Sequence, residues 1–299
     1  MYDIIVVGAG PAGISAGIYG VSRGKKVLIL EKGEVGGLIG KVSTVTHYAG
    51  IIPGETGVSF AARMREQAES AGVEIRQETV EQVQMQGDVK TVVTDQGQYT
   101  CKKLILANGT TGRKLGIPGE MELAGKGMGM NAAKHGANYA GKHVYVVGGA
   151  DGAVKEALYL ASLAEKVTII HFEPQLGCIA EFRDKVKKTR NIQLMLNTRL
   201  HAVCGENQVE QLDLRSEVDG SITTVDDPGC GIFVYAGTVP NTQLYTELEL
   251  QDGYIPVNDW METRIPGVYA VGDIRVKQVR QVATAVADGA TAAVHACIG

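Results

Sequence analysis

The stretch Ile4-Ile5-Val6-Val7-Gly8-Ala9-Gly10-Pro11-Ala12-Gly13 decides the fold of this chain. Its four apolar residues predict a buried strand, its glycines predict a tight turn, and the small residues at 14–21 predict a helix. A second predicted strand at 26–31 completes a βαβ unit. In this context the G-x-G-x-x-G pattern predicts a dinucleotide site, with the pyrophosphate at the N-terminus of the helix.

A second segment, Val268-Tyr269-Ala270-Val271-Gly272-Asp273, selects the dinucleotide. An aspartate after a late strand is what the ribityl chain of a flavin requires and a nicotinamide cofactor does not. We therefore expect FAD, with Asp273 as the ribityl acceptor; the alternative is an aspartate that caps a local turn. Glu31 lies where an acid accepts both hydroxyls of an adenosine ribose and repels a 2′-phosphate.

Composition excludes several classes of protein. The chain has 299 residues, enough for two domains, and a net charge of −4 without charge runs, so we expect no nucleic-acid or membrane partner. No apolar run approaches the length of a membrane span, and 1–3 lead directly into the first strand, so the cytoplasm is the expected compartment. The five cysteines are scattered, which is typical of reduced thiols, and we expect no metal site.

The strand–turn–helix–strand pattern occurs twice. Its second copy runs from the strand at 144–147 through the turn at 148–153 to the strand at 167–171. This duplication predicts an α/β fold with two Rossmann-like, three-layer (ββα) domains, the second inserted into the first. The expected boundaries are 1–114 and 243–299 for the FAD-binding domain and 115–242 for the inserted, NAD(P)-binding-like domain. Residues 73–101 are predicted to form a small antiparallel meander, before a separate buried strand at 103–109.

The whole chain resembles the low-molecular-weight thioredoxin reductases of the pyridine nucleotide–disulfide oxidoreductase class. Besides the two segments above, the matching motifs are Gly36-Gly37, His47-Tyr48-Ala49-Gly50, Ala107-Asn108-Gly109, Glu156-Ala157-Leu158-Tyr159-Leu160, Val239-Pro240-Asn241-Thr242 and Arg280-Gln281-Val282.

The resemblance implies an FAD site, a homodimer and a helix near 281 whose N-terminus faces the flavin. His47 stands where the family places an asparagine beside the flavin, so it is a candidate catalytic residue that could relay a proton; a structural role is the alternative. Leu38 replaces a common glutamine. The expected cofactor-binding residues are Gly8, Gly10, Pro11, Ala12, Gly13, Glu31, Lys32, Gly36, Gly37, Leu38, His47, Ala107, Asn108, Gly109, Gly272, Asp273, Arg280, Gln281 and Val282.

The segment that gives the family its chemistry departs from the pattern. Where the redox motif C-x-x-C-D would stand, the chain reads Asn131-Ala132-Ala133-Lys134-His135. Neither asparagine nor lysine can attack a disulfide, so the usual dithiol mechanism is not expected. Asn131 and Lys134 could face the flavin instead, or Lys134 could be solvated.

The second Gly-rich turn is also altered. Its middle glycine is Ala150, and Asp151 follows. A carboxylate about 4 Å from a phosphate would repel it by about 4 kcal/mol at an effective dielectric constant near 20, which corresponds to about a thousandfold in affinity. The alternative is that Asp151 caps the following helix and contacts no ligand. The candidate residues for a second nucleotide are Gly148, Gly149, Ala150, Asp151 and Glu173.

The basic residues that mark NADPH in the family are missing after the second strand of this unit. The chain has His171-Phe172-Glu173 and Gly177 at the matching positions, so no cation remains there for a 2′-phosphate. Glu173 could instead accept ribose hydroxyls. NADPH is not expected, whereas NADH and an empty or repurposed site both stay open.

Three functions follow from these observations. The first is an FAD oxidoreductase that works without a dithiol, with NADH or a redox protein such as ferredoxin as donor and a small molecule or protein as acceptor. The second is a flavoprotein subunit or redox-responsive binding module with a degenerate nucleotide site. The third is a disulfide reductase that uses a single thiol such as Cys178 or Cys230, although burial as small apolar residues explains both cysteines.

Overall fold

The computed structural model describes residues 1–298, which form two compact units. Unit 1 contains Met1–Thr111 and the chain from Val239 onward, and unit 2 contains Gly112–Thr238. The chain passes between the units in two short paired strands, β7 (Thr110–Gly112) and β15 (Thr238–Pro240). The expected boundaries after residues 114 and 242 therefore fall slightly beyond these strands.

Unit 1 is built on a seven-stranded sheet with the order β3-β2-β1-β6-β5-β4, in which β16 also pairs with β6. Strands β3, β2, β1, β6 and β16 are parallel, as a Rossmann-like sheet requires. The elements of this unit are β1 (Tyr2–Val7), α1 (Pro11–Val21), β2 (Val27–Glu31), α2 (Gly57–Ser70), β3 (Glu74–Gln77), β4 (Val80–Gln84), β5 (Lys90–Thr94), β6 (Gln98–Leu106), β16 (Val268–Ala270) and α6 (Val282–Ile298).

The antiparallel meander predicted for residues 73–101 begins later than expected, and its last strand continues beyond residue 101. Strand β3 pairs in parallel with β2 and so belongs to the central sheet, which leaves β4, β5 and β6 as the antiparallel part. The prediction of a separate strand at 103–109 is wrong, because residues 98–106 form one nine-residue strand, β6. Its first half pairs with β5 and its second half with β1 and β16.

Two hydrophobic cores cover the faces of the unit 1 sheet. One contains residues of α1, α2 and α6, and the other contains residues of β4, β5 and the segment before β16. Helices α1 and α6 approach closely, since a Cβ at Gly289 would lie 2.1 Å from the backbone oxygen of Ala12. The helix at the end of the chain is thereby fixed against the first Gly-rich turn.

Unit 2 contains a parallel four-stranded sheet with the order β10-β9-β8-β14 and an antiparallel sheet with the order β11-β12-β13. The parallel sheets of the two units confirm the predicted α/β, Rossmann-like fold class. No helix among residues 1–298 combines the length and the apolarity that a membrane crossing needs. The elements of unit 2 are α3 (Ala132–His135), β8 (His143–Val147), α4 (Asp151–Leu160), β9 (Lys166–Ile170), α5 (Ala180–Lys188), β10 (Ile192–Met195), β11 (Thr198–Cys204), β12 (Gln211–Ser216), β13 (Ile222–Asp226) and β14 (Gly231–Val234).

Candidate functional sites

The first Gly-rich turn forms an open cradle at the N-terminus of α1. Gly8 has a φ of +105°, and a Cβ there would lie 2.6 Å from the oxygen of Ala107, so only glycine fits between β1 and β6. Gly10 is the N-cap of α1 and Pro11 is its first residue. A Cβ at Gly10 would meet nothing within 4 Å. The free N–H groups of the first turn therefore border open space, which fits a pyrophosphate.

Glu31 lies at the end of β2 and is fixed by two backbone amides. Its Oε2 accepts a hydrogen bond from the N–H of Ala9 at 2.8 Å, and its Oε1 accepts one from the N–H of Gly33 at 2.9 Å. The carboxylate thus lies beside the cradle, with lone pairs remaining for other donors. Lys32, the next residue, is exposed.

The segment 36–38 lies over the same cradle. The N–H of Gly36 donates to the oxygen of Ala9 at 2.9 Å, and a Cβ at Gly37 would lie 3.4 Å from the Cα of Gly10. Leu38 is 41% exposed. This segment brings backbone groups and one exposed apolar side chain to the cradle.

Asp273 lies in a 3₁₀ turn, Gly272–Ile274, directly after β16. The N-cap of this turn is Val271, and no side chain caps it, so the alternative role of Asp273 as a cap is not seen. Burial raises the pKa of Asp273, while the cations Lys277 and Arg280 oppose the shift. A partly buried carboxylate near two cations suits an acceptor of hydroxyl hydrogen bonds.

Arg280 provides a further sign of a bound group. Its guanidinium carbon lies 4.2 Å from the centroid of the Tyr254 ring, and its Nε is buried without a hydrogen-bond partner among residues 1–298. An unpaired buried donor is costly, so this atom fits a position that a cofactor would complete. Gln281 is exposed and Val282 begins α6, as the helix prediction required to within one residue.

Two other predicted residues have different surroundings. His47 is exposed in a loop, and its Nδ1 lies 2.9 Å from Oγ1 of Thr46. The Asn108 side chain donates to the oxygen of Asn241 at 2.8 Å and accepts from the hydroxyl of buried Tyr245 at 2.7 Å. The Asn108 side chain therefore ties two segments of unit 1 together, a role that the motif did not indicate.

In the Gly-rich turn of unit 2, the carboxylate of Asp151 contacts a different helix from the one that it begins. Ala150 is the exposed N-cap of α4, and Asp151 is the first helical residue, so Asp151 does not cap its own helix. Its Oδ1 instead accepts a hydrogen bond from the N–H of Ile179, the N-cap of α5, at 2.8 Å. Because its carboxylate oxygen is engaged there, the estimated repulsion of a phosphate is an upper bound.

A cavity of about 540 Å³ lies beside this turn, within unit 2. It is lined by Gly149, His171 and Glu173, among others. His171 is 5% exposed, and its Nε2 lies 3.1 Å from Oε2 of Glu173. A Cβ at Gly149 would lie 2.5 Å from the His171 ring, so the ring packs directly against the turn. Four of the five candidate residues for a second nucleotide line this cavity, namely Gly148, Gly149, Ala150 and Glu173, whereas Asp151 does not.

The same cavity contains cations that sequence reasoning missed. The Arg199 guanidinium carbon lies 4.2 Å from the centroid of the Phe172 ring, and its Nε donates to Glu217 at 2.9 Å. Cations from other elements therefore line the cavity, although none directly follows β9. The sequence around the nucleotide motif gives no indication of them, because they lie far from it along the chain. The basic residues that line the cavity are Arg113, Lys114, Arg199 and Arg215.

The segment 131–135, where the resemblance predicts the redox motif, forms a closed helix start, in which the N–H groups of the N-cap and of the first helical residue are hydrogen-bonded. Asn131 is the N-cap of α3, and its Oδ1 accepts from the N–H of Lys134 at 2.8 Å. The N–H of Asn131 donates to Nδ1 of His135 at 3.0 Å, and the N–H of Ala132 donates to the hydroxyl of Tyr235 at 3.2 Å. Lys134 is exposed. The backbone N–H groups of Asn131, Ala132 and Lys134 are thus hydrogen-bonded, partly through Tyr235, and the segment contains no sulfur.

The remaining thiols are mostly buried. Cys178 is 2% exposed and Cys230 is 3% exposed, and both belong to hydrophobic cores of unit 2. Burial raises the pKa of both thiols, that of Cys230 to about 12, so neither forms a thiolate readily. Among the described residues, no group of three or more histidine, cysteine and acidic side chains could hold a metal ion.

Comparisons with known proteins agree with this architecture. The family model for pyridine nucleotide-disulphide oxidoreductases matches residues 2–289, and the chain belongs to this family. A thioredoxin reductase of Peptoclostridium litorale is 39% identical over 302 residues, which cover 99% of this chain and 96% of that protein. The chain is therefore an oxidoreductase of thioredoxin reductase type, and the family implies FAD.

Solved structures give the same result. A thioredoxin reductase of Lactococcus lactis has a TM-score of 0.94 at 33% identity, with 99% of this chain and 98% of that chain covered. A ferredoxin-flavin thioredoxin reductase of Clostridium acetobutylicum has a TM-score of 0.54 at 28% identity, with 99% and 97% covered. The predicted resemblance to low-molecular-weight thioredoxin reductases is confirmed.

Proposed function

We propose that this protein passes electrons through FAD alone, without a redox dithiol. Its donor would be NADH or a redox protein such as ferredoxin, and its acceptor a small molecule or a protein. In this proposal the cradle of unit 1, with Glu31, Asp273 and Arg280, holds the flavin. His47 is retained as a candidate proton relay because its imidazole is exposed.

The observation that supports this proposal is the closed helix start at 131–135. Asn131 and His135 hold the backbone of this segment, and Lys134 is solvent-exposed. Thiol–disulfide exchange needs an accessible thiolate, which these residues cannot supply. Because Cys178 and Cys230 are buried with raised pKa values, a single-thiol mechanism at either has little support.

The choice of donor rests on the cavity of unit 2. Glu173 is about half exposed there, where it could accept ribose hydroxyls and would repel a 2′-phosphate. Arg199, the cation nearest to Phe172, is already paired with Glu217. These contacts favour NADH over NADPH. The similarity to a ferredoxin-flavin thioredoxin reductase supports a redox protein as the alternative donor.

The second candidate function is a flavoprotein subunit or redox-responsive binding module. It is favoured by one feature, the replacement of the middle glycine of the second turn by Ala150, whose side chain lies at the N-cap of α4. A methyl group at this position restricts how closely a pyrophosphate approaches the backbone. Such a protein would hold FAD but depend on a partner for turnover.

Anaerobic visible spectroscopy tests these alternatives. The purified holoprotein is mixed separately with NADH, NADPH and reduced ferredoxin, and bleaching of the flavin band is followed. We expect bleaching by NADH or ferredoxin and little by NADPH. Bleaching by none of the three removes the catalytic proposal, and a copurifying protein that restores turnover would then support the second function. Efficient bleaching by NADPH alone would contradict the proposed donor specificity.

A further inference from the structure

Asp288, on α6, is the centre of a buried ion network beside the Gly272–Asp273 turn. Its Oδ1 accepts a hydrogen bond from Nη2 of Arg275 at 2.7 Å, and its Oδ2 accepts one from Nε of Arg275 at 2.8 Å. The same Oδ2 accepts a hydrogen bond from Nζ of Lys277 at 2.7 Å. The side chains of Asp288 and Lys277 are only 6% and 5% exposed. Asp288 is therefore fully engaged by charged donors.

The network also holds the backbone of the turn. The N–H of Gly272 donates to Oδ2 of Asp288 at 3.0 Å. Gly272 has a φ of +75°, and a Cβ there would lie 3.0 Å from the Cβ of Ala12, so the turn has little freedom to move. One carboxylate thus fixes the chain at 272, 275 and 277. Asp273, the proposed ribityl acceptor, lies between these points.

The charges of the network favour a role at the site over a role in stability. Each buried charge costs several kcal/mol of desolvation, and a well-packed apolar set is often at least as stable. Two cations against one carboxylate also leave one positive charge in excess. Burial raises the pKa of Asp273, the charges of Lys277 and Arg280 lower it, and the charge of Asp288 raises it.

We propose that Asp288 is a positioning residue of the FAD site, which holds Gly272, Arg275 and Lys277 so that Asp273 is presented to the ribityl chain. This inference rests on the proposed role of Asp273 and is independent of the electron donor. The residue acts through the turn and is not expected to contact the flavin.

The affinity of the apoprotein for FAD is the first test. Asp288→Asn keeps the size of the side chain and one acceptor oxygen but removes the charge. At pH 8 we expect FAD to bind at least about tenfold more weakly, measured by quenching of flavin fluorescence. The matched control is Ser15→Ala, which removes a buried hydrogen bond from Ser15 to the oxygen of Val286 on the same helix and leaves the network intact. Its FAD dissociation constant should stay within about twofold of that of the wild type.

The pH profile of FAD binding is the second test, because it reports the protonation of Asp273 beside the charges of Lys277 and Asp288. The pKa of Asp273 is raised above 3.8 in the folded protein, so FAD binding should weaken as the pH falls through this raised value and the carboxyl takes up a proton. Lys277→Met removes a cation and should move the midpoint to higher pH. Asp288→Asn removes an anion and releases Lys277, so its midpoint should move to lower pH.

These experiments test the positioning role of Asp288 and the acceptor role of Asp273 separately. An Asp288→Asn protein whose FAD affinity and pH midpoint equal those of Ser15→Ala overturns the positioning role. If Asp288→Asn does not fold, wild-type FAD affinity in Lys277→Met, which removes one of the contacts that Asp288 makes, does the same. Asp273→Asn serves as the reference: wild-type FAD affinity in this variant would show that Asp273 itself is not the acceptor.

Discussion

At the scale of single residues, two carboxylates occupy equivalent places in the two units. Glu31 ends the second strand of unit 1, and Glu173 lies three residues after β9 of unit 2. The Glu31 carboxylate is held by two backbone amides, whereas Oε2 of the Glu173 carboxylate lies beside the His171 ring. The more weakly held carboxylate of Glu173 faces a cavity with four basic residues. Under the proposed function, we therefore expect the balance of charge at this position to set the preference between NADH and NADPH.

The selectivity between NADH and NADPH should respond to Glu173. Glu173→Gln removes the negative charge while the basic residues of the cavity remain, so the ratio of kcat/KM for NADPH to that for NADH should rise by about tenfold. Steady-state flavin reduction with both nucleotides measures this ratio. Glu165→Gln, an exposed change in the same unit outside the cavity, is the control. An unchanged ratio in Glu173→Gln would mean that the 2′-position does not approach this residue.

At the scale of elements, α3 is held by contacts at its N-terminus. Asn131 Oδ1 accepts from the N–H of Lys134, and His135 Nδ1 accepts from the N–H of Asn131. The helix has four residues, so these contacts account for much of its local stability.

Removal of the α3 cap should affect stability and leave electron transfer intact. Asn131→Ala is expected to lower the free energy of unfolding by about 1 kcal/mol, because the N–H of Lys134 loses its acceptor. Thermal unfolding measures this loss, and anaerobic flavin reduction should proceed at the wild-type rate. Lys134→Ala, at an exposed position, should change neither quantity. Slow flavin reduction in either variant would instead place the segment in the chemistry.

At the scale of the whole molecule, the cysteines are distributed over both units. Cys101 and Cys297 belong to unit 1, and Cys178, Cys204 and Cys230 belong to unit 2. Burial raises the pKa of Cys101 to about 12, as it does that of Cys230. Only Cys204 is exposed. This distribution is typical of small apolar residues and gives no pair for disulfide exchange.

Electron transfer should therefore survive the loss of any single thiol. The buried cysteines are replaced by alanine and the other two, Cys204 and Cys297, by serine, one at a time, with thermal unfolding as the check on folding. Turnover with the preferred donor should stay within about twofold of the wild-type rate for each folded variant. A folded variant that loses turnover at a single position would support the disulfide reductase that uses one thiol.

Much of the fold could be predicted from the sequence because its signals are local. In both copies of the duplicated pattern, a strand, a glycine turn and a helix follow one another along the chain. The turn that contains Asp273 likewise comes soon after its strand, β16. The same locality explains the errors. The sequence assigned β3 to the meander because alternation does not reveal the pairing partner. For Asp151 it left open a phosphate contact or a cap of its own helix, and it did not indicate Ile179, which is 28 residues away.

The sequence by itself determined two Rossmann-like units, the cradle at Gly8 to Gly13 and the loss of the dithiol, because each depends on neighbouring residues. Only the tertiary structure decided which distant side chains complete the sites. Asp288 on α6 contacts the turn at Gly272, and Arg199 on β11 lines the cavity of unit 2. Such contacts arise from sheet order and helix packing, which bring together residues whose separation along the chain leaves no periodic or local signal.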